Sequence, residues 1–214
     1  MTSTIVHIAF ALLVAAALLG AAFDWRSVLL VVIVTALPDL DSFIALYTVA
    51  GHRTLLHNVW IGTVPAIALW ADCNVRAESI VGRRWGPWGI RVAWVCIVCY
   101  LFAHVGLDLV DGVVNLFWPV HDQFYRLTGT IELSSQRGIV QTFVDGEGFL
   151  LFEPEGTTRE LEITTGVDPA PTDDGSTPER VFPVIGAGWE LVVLVTGGLV
   201  TIARFRLAEE IERS

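Results

Sequence analysis

Lysine is absent from this sequence of 214 residues, so that all 13 basic residues are arginine. The chain has 23 acidic residues, so its formal net charge is −10. A chain this acidic lacks the positive face that neutralises phosphates, which argues against a nucleic-acid-binding protein. We expect instead that the acid excess keeps the protein soluble in high salt, as in a halophilic source.

Charged residues and cysteines are also scarce. Only 17% of the residues are charged, whereas a soluble domain carries about 25%. Apolar residues make up 53% of the chain, and the mean hydropathy is +0.60. This composition excludes a disordered chain and argues against an ordinary soluble enzyme. The three cysteines form no even framework, which argues against a disulfide-stapled secreted fold.

Long apolar runs indicate a membrane protein instead. A spanning helix needs about 20 residues, and we predict five helices, over residues 5–23, 25–37, 54–71, 88–110 and 184–203. The second run is too short to cross by itself at about 1.5 Å per residue. The predicted fold class is therefore mainly α: a polytopic membrane helix bundle of about five transmembrane helices with a small inserted β-rich extramembrane module.

The composition changes after residue 127. Residues 129–134, 138–144 and 149–152 have β-like patterns, residues 159–164 alternate like an edge strand, and residues 167–180 read as a linker. We therefore divide the chain into three parts. Membrane helices 1–4 with the site motifs occupy residues 1–127, an acidic β-rich extramembrane module occupies 128–183, and a fifth membrane helix with a cytoplasmic tail occupies 184–214.

The placement of arginine predicts the orientation. The loops on one side of the five-helix path carry 8 Arg against 6 acidic residues, and the other side carries 5 Arg against 17. Basic residues collect on the cytoplasmic side of a membrane protein. We therefore expect the N-terminus outside and the C-terminus in the cytoplasm.

Histidine and aspartate residues recur at the helix ends that this topology places outside. The expected metal ligands are His7, Asp39, Asp41, His52, His57, His104 and Asp108. His104 and Asp108 lie four residues apart, so a helix presents both on one face. Imidazole with carboxylate favours Zn, with Mn or Fe as alternatives, over Mg or Ca. We expect one to three divalent ions.

Three residues are candidates for a direct role in catalysis. Arg53 has the planar fork that binds a phosphate anion, and Asp41 or Glu190 is expected to accept a proton from the attacking water. Simpler interpretations exist for two of them. Arg53 alone would be a counter-ion for Asp39 or Asp41, and Glu190 alone would be an interfacial carboxylate. It is the joint arrangement of ionisable groups that favours a metal site.

The order and spacing of these motifs resemble the YdjM-type, LexA-binding, inner-membrane metal-dependent hydrolases. The resemblance covers roughly residues 1–120 and rests on His7, Leu-Pro-Asp-Leu-Asp (37–41), Gly-His-Arg-x-x-x-His (51–57), His-x-x-x-Asp (104–108) and Trp-Pro (118–119). Glu190 matches an acidic residue that opens the next helix of that family. The family is similar in turn to zinc-dependent phospholipase C and P1-type nucleases, all-α enzymes with a multi-zinc cluster. The resemblance thus implies phosphoester hydrolysis.

We therefore expect a membrane-embedded, metal-dependent hydrolase of phosphoesters at the outer face of the membrane. A site sunk below that surface favours a lipid or lipid-linked substrate from the bilayer. Two alternatives belong to other classes: a non-catalytic metal-binding or metal-transporting membrane protein, and a partner-binding scaffold with a degenerate site. Transport is disfavoured because the polar residues gather at one face of the bundle. The sequence identifies no protein partner.

Overall fold

The computed structural model describes residues 2–48, 51–145, 148–149 and 152–213. These residues are mainly helical, with short strands only between residues 124 and 156. The helices are α1 (Thr4–Leu18), α2 (Trp25–Ala36), α3 (Asp41–Ala45), α4 (Trp60–Asn74), α5 (Ile80–Asp111) and α6 (Gly188–Arg213). Short 3-10 turns, Gly20–Ala22 and Pro38–Leu40, precede α2 and α3.

Two of these helices are long and apolar enough to cross a membrane, Ile80–Asp111 and Gly188–Glu210. A third span results if α2 and Pro38–Ala45, bent by 41°, are counted as one. The prediction of five transmembrane helices is thus not supported in the described residues. α1 and α4 have 15 residues each, so they extend about 22 Å, short of the ~30 Å hydrocarbon layer.

The predicted spans over residues 5–23 and 54–71 are longer than the helices α1 and α4 that the structure has there. In each case part of the predicted span is not helical. Gly20 has a positive φ of 56° and ends the apolar run of α1 in a turn. Residues 54–59 form turns and bends, although they are apolar enough to resemble the start of a span, and α4 begins only at Trp60. In that stretch the backbone forms the loop that carries His57 and does not continue as a regular helix.

α1 lies at the centre of the bundle and packs against α2, α5 and α6. Its inward face consists largely of alanine and valine, which allow neighbouring helices to approach closely. The closest approach is to α6, where a Cβ on Gly197 would lie 2.5 Å from the carbonyl oxygen of Ala9. Only glycine fits there, as at other small-residue helix contacts in membranes.

Arginine side chains close the end of α1 that is remote from His7. Arg91 donates to the carbonyl of Leu18 at 3.0 Å, and Arg204 donates to the carbonyl of Gly20 at 3.2 Å. Cations satisfy the free carbonyls at a helix C-terminus and complement its dipole. Basic residues thus gather at one end of the bundle, and His7 lies near the other end of the same helix.

The strands form three antiparallel pairs. The strand β1 (Phe124–Leu127) pairs with β6 (Phe152–Gly156), β2 (Ile131–Ser134) with β3 (Gly138–Gln141), and β4 (Val144–Asp145) with β5 (Gly148–Phe149). A β-rich module is thus present, and its first strand begins four residues before the predicted boundary at 128. Residues 150–151 of the predicted run 149–152 lie outside the described residues.

The predicted edge strand over residues 159–164 is wrong. Residues 158–160 form a turn and residues 161–165 have no regular structure. Asp122 links this turn to the loop after α5, since it accepts hydrogen bonds from Asn115 and from the Thr158 hydroxyl, both at 2.7 Å. Burial raises the pKa of Asp122, but these hydrogen bonds outweigh it and keep the pKa below its ordinary value. The module is therefore attached to the loop that follows α5.

Candidate metal centre

Four separate segments bring the predicted ligands to one place. α1 supplies His7, the turn and start of α3 supply Asp39 and Asp41, and the loop before α4 supplies His52 and His57. α5 supplies His104 and Asp108 from its last turns. All of these side chains are buried except that of Asp39, which is 21% exposed. The convergence expected from the sequence is thus present.

His104 lies in a π-helical segment of α5, Cys99–Gly106. Such wider turns are rare and occur mostly at functional sites. The histidine points across the bundle, where its Nδ1 lies 2.6 Å from the carbonyl oxygen of Thr35 on α2. His7 is held in the same manner, with Nδ1 at 3.0 Å from the carbonyl oxygen of Ala103. Because a carbonyl oxygen only accepts, each Nδ1 carries the proton and each Nε2 presents a lone pair.

Asp41 orients the other two histidines. Its Oδ1 lies 2.6 Å from Nδ1 of His52, and its Oδ2 lies 2.8 Å from Nδ1 of His57. An ionised carboxylate only accepts, so Nε2 of each ring is left as the free ligand atom. Metal-binding histidines are commonly fixed by such a carboxylate behind them. Asp41, expected as a ligand and as a proton acceptor, therefore occupies a position behind the ligands.

The remaining residues form two groups that can each hold a metal ion. One group is His7, His104 and Asp108, and the other is Asp39, His52 and His57; within each group the ligand atoms lie within 4.8 Å of one another. In the first, Nε2 of His7 lies 3.3 Å from one oxygen of Asp108. Both groups combine imidazole with carboxylate, as zinc sites commonly do.

The two groups adjoin. Nε2 of His57 lies 3.0 Å from Nε2 of His104 and 3.3 Å from Oδ2 of Asp108. Three more contacts among Nε2 of the two histidines, Asp39 Oδ1 and Asp108 Oδ2 measure 3.4–3.7 Å. Ligands at the Zn–N and Zn–O bond lengths of a tetrahedral site are separated by about 3.3 Å. The spacing of these four atoms, two from each group, is therefore compatible with neighbouring ions in the two groups.

The protonation pattern is also compatible with a cation at this point. The Nδ1 protons of His57 and His104 are both committed to other acceptors, so two Nε2 lone pairs face each other at 3.0 Å. Among the described residues, Nε2 of His7 and Oδ2 of Asp108 are buried with no hydrogen-bond partner. Buried acceptors without a donor are costly. Divalent ions bound by the two groups would satisfy these atoms.

The charges in the centre are unbalanced as well. Within the described residues, Asp39, Asp41 and Asp108 carry three negative charges and Arg53 contacts Asp108 as a positive residue, which leaves two negative charges when the histidines are neutral. Uncompensated buried charge is strongly unfavourable. One divalent cation would balance this difference.

Arg53 is a counter-ion, as its simpler interpretation held, but its partner is Asp108 and not Asp39 or Asp41. Its guanidinium donates from Nη2 to Oδ1 of Asp108, and the residue is only 2% exposed. The backbone of Arg53 has a φ of 64°. Gly112 makes room for the side chain, since a Cβ there would lie 2.1 Å from Nη1. Arg53 therefore fixes Asp108 so that Oδ2 faces the centre.

Glu190 is not brought to the centre. It lies in the first turn of α6, where its carboxylate accepts from the backbone N–H of Gly186 at 2.5 Å. It is 3% exposed, and within the described part of the chain its side chain has no hydrogen bond with the metal-centre residues. A carboxylate in this position stabilises the start of the helix.

Several supporting residues were not predicted. The hydroxyl of Tyr100 donates to the carbonyls of Leu56 and Asn58, at 2.7 and 3.0 Å, and thereby fixes the loop that carries His57. Thr4 donates to Oδ2 of Asp39. Tyr100 lies four residues before His104 and Thr4 three before His7, so helical spacing was an available signal. The carbonyls that hold Nδ1 of two histidines have no signal in the sequence.

The comparison with known proteins identifies the family. The sequence model of the YdjM inner membrane protein family matches residues 1–154, which include every candidate ligand. The chain therefore belongs to this family and is a membrane protein. No curated protein and no solved structure matches the chain.

Replacement of Asp41 tests its position behind the histidines. We expect Asp41→Asn to lower the affinity for Zn by about 10- to 100-fold, because the amide offers one acceptor oxygen where two are needed. The measurement is a Zn titration of the detergent-solubilised protein against a competing chelator. Asp122→Asn, outside the centre, is the matched control and should leave the affinity unchanged; equal losses in both variants would contradict this role.

Proposed function

We propose that this member of the YdjM inner membrane protein family is a membrane-embedded, metal-dependent hydrolase of phosphoesters. The observation that carries the proposal is the facing pair of Nε2 atoms, His57 and His104, 3.0 Å apart with both Nδ1 protons committed elsewhere. Only a cation or an additional proton makes that arrangement favourable, and three carboxylates lie around it. We propose Zn as the ion, with Mn or Fe as alternatives, because the ligands mix imidazole and carboxylate.

The number of ligands favours hydrolysis over a purely structural role. Each of the two groups supplies three protein ligands, and catalytic zinc sites keep a fourth position open whereas structural sites are closed by four. Divalent ions in such a site lower the pKa of water and polarise a phosphoryl oxygen. The similarity to phospholipase C and P1-type nucleases that the motifs imply is compatible with this chemistry.

The residues of the chain have distinct tasks in this proposal. Asp41 keeps the proton of His52 and His57 on Nδ1, so that their Nε2 atoms remain ligands. Arg53 holds one oxygen of Asp108 and leaves the other toward the centre. Asp39 is the most exposed member of the centre, so substrate would approach from its side. Asp41 and Glu190 already accept other hydrogen bonds, which supports neither as the proton acceptor.

We propose that the centre faces the outside of the membrane. The arginines that close the C-terminal end of α1, Arg91 and Arg204, lie at the end of the bundle remote from His7, and basic residues favour the cytoplasmic side. The β-rich module, attached through Asp122 and Asn115 near the metal-centre end of α5, is then external.

Metal content and hydrolysis together test the enzyme. We expect the purified protein to contain Zn and to hydrolyse bis(p-nitrophenyl) phosphate. We expect His104→Ala to lose both the bound Zn and the hydrolysis, since it removes a ligand that contacts His57, Asp39 and Asp108. The measurements are elemental analysis and release of p-nitrophenolate. His121→Ala is the matched control, because this histidine lies against Tyr125.

Two results would decide against the proposal. Absence of metal from the wild-type protein, even after incubation with Zn, would overturn the centre itself. Tight binding with no turnover of phosphomonoesters, phosphodiesters or lipids would instead identify a non-catalytic metal-binding protein.

A change at Arg53 separates a positioning role from phosphate binding. If the guanidinium acts through Asp108, Arg53→Lys should weaken Zn binding and lower kcat, because Lys cannot hold the carboxylate in the same planar geometry. KM for bis(p-nitrophenyl) phosphate should change little. A raised KM with unchanged Zn affinity would show that Arg53 contacts the substrate.

Labelling of single cysteines tests the orientation. In a variant with Cys73, Cys96 and Cys99 replaced by serine, a cysteine at exposed Ser135 should react with a membrane-impermeant maleimide in intact cells. A cysteine at exposed Glu78, in the Arg-rich loop, should react only after lysis. The reverse pattern would place the centre on the cytoplasmic side.

A further inference from the structure

A cavity of about 710 Å³ opens beside the metal centre. Asp39, Ser42 and His52 form part of its lining, so the cavity is continuous with the proposed reaction site. Its volume lies within the range of about 300–1,000 Å³ that small-molecule sites occupy. The cavity therefore has room for more of a substrate than the phosphoester group.

The lining away from the centre is largely apolar and comes from two sources. Ile5, Leu40 and Phe43 belong to α1, the turn before α3, and α3 itself. The opposite side is formed by two short segments that follow the last strand, residues 164–167 and 181–184, which we call the outer wall. One side of the cavity is thus part of the helix bundle, and the other side is not.

The outer wall is held in place by specific contacts. The Ser3 hydroxyl donates to the carbonyl of Val184 at 2.7 Å, and Arg180 donates to the carbonyl of Val167 at 2.5 Å. Its two segments touch at Gly166, where a Cβ would lie 2.4 Å from the carbonyl oxygen of Val181. The wall is therefore pre-formed, as small-molecule sites usually are.

Exposed apolar side chains surround this cavity on both sides. Leu40 and Phe43 are 52% and 55% exposed, and Phe182 of the outer wall is 62% exposed. Leu40 and Phe43 lie in the bent segment that can form part of a membrane span. In a membrane protein such side chains can contact lipid, so an apolar route leads from the bilayer to Asp39.

We infer that the cavity holds the hydrocarbon chain of an amphiphilic phosphoester whose phosphate lies at Asp39 and His52, and that Phe182 and Val184 select for that chain. This inference rests on the proposed hydrolase. Its support is the continuity of one apolar cavity with a buried site of polar ligands. A water-soluble phosphoester would leave that apolar surface without a partner.

The outer wall lies beyond the residues that match the family, which end at 154. The metal ligands thus belong to the family-matched part of the chain, whereas one side of the cavity does not. Selectivity for the substrate chain is therefore a property of the segments after the last strand, outside the family-matched residues.

Two esters with the same leaving group test the inference by kinetics: p-nitrophenyl methyl phosphate and p-nitrophenyl hexadecyl phosphate. In both, an oxygen of water bonds to phosphorus, the bond to p-nitrophenolate breaks, and the water protons pass to solvent. We expect wild type to prefer the hexadecyl ester in kcat/KM, and Phe182→Ala to reduce this preference by about tenfold, the equivalent of part of a buried Phe side chain.

The control is Ile139→Ala, an apolar residue 77% exposed on the β2–β3 hairpin, which should leave the preference unchanged. Both variants should retain Zn, which shows that they are folded. Equal kcat/KM for the two esters in wild type, or an unchanged preference in Phe182→Ala, would overturn the inference while leaving the hydrolase standing.

A binding experiment keeps the two proposals separable. A hexadecyl phosphonate with a diazirine at the end of its chain should, on illumination, become attached to peptides that contain residues 40–43 or 181–184. Attachment to these peptides without any hydrolysis would support binding of the hydrocarbon chain in the cavity and contradict the proposed hydrolase activity. Attachment distributed over α4 and α6, as expected of ordinary lipid contact, would contradict the cavity assignment.

Discussion

The close approach of two imidazole nitrogens is the constraint on which the rest of the structure depends. Nε2 of His57 and His104 lie 3.0 Å apart, and Oδ2 of Asp108 lies 3.3 Å from the first of them. Lone pairs at these distances repel unless a cation or a proton lies among them. The surrounding fold maintains this set of acceptors, which could hold a metal ion.

Different contacts hold the different ligands of the metal centre in place. Backbone carbonyls of Thr35 and Ala103 fix the histidines on α5 and α1, because two neighbouring helices lie close enough to provide acceptors. Asp41 fixes the loop histidines, which have no adjoining helix carbonyl. Arg53 fixes Asp108 from a backbone conformation that is rare outside glycine. Such strain, together with the π-helical turn at His104, is concentrated at the centre.

The sequence was sufficient to predict which ionisable residues lie together and insufficient for the number of membrane spans. His7, His104 and Asp108 form one group that could hold a metal ion, and they were predicted together because helical spacing and the common end of the helices are visible in the sequence. The five-span count is not supported in the described residues, because hydropathy does not distinguish a helix from an apolar loop. Residues 54–59 include Leu55, Leu56 and Val59 and so resemble the start of a span, but the hydrogen bonds from Tyr100 hold them as a loop.

The scarcity of charge and the long apolar runs by themselves determined the membrane class, and the recurrence of His and Asp at helix ends indicated which residues meet. Residue type and spacing carry this information, since a bilayer demands apolar runs and a metal demands a few ligand types. Only the tertiary structure decided the role of each residue. Whether Asp41 binds metal or orients histidines, and whether Arg53 contacts substrate or Asp108, depends on distances between segments far apart in the chain, which no local pattern records.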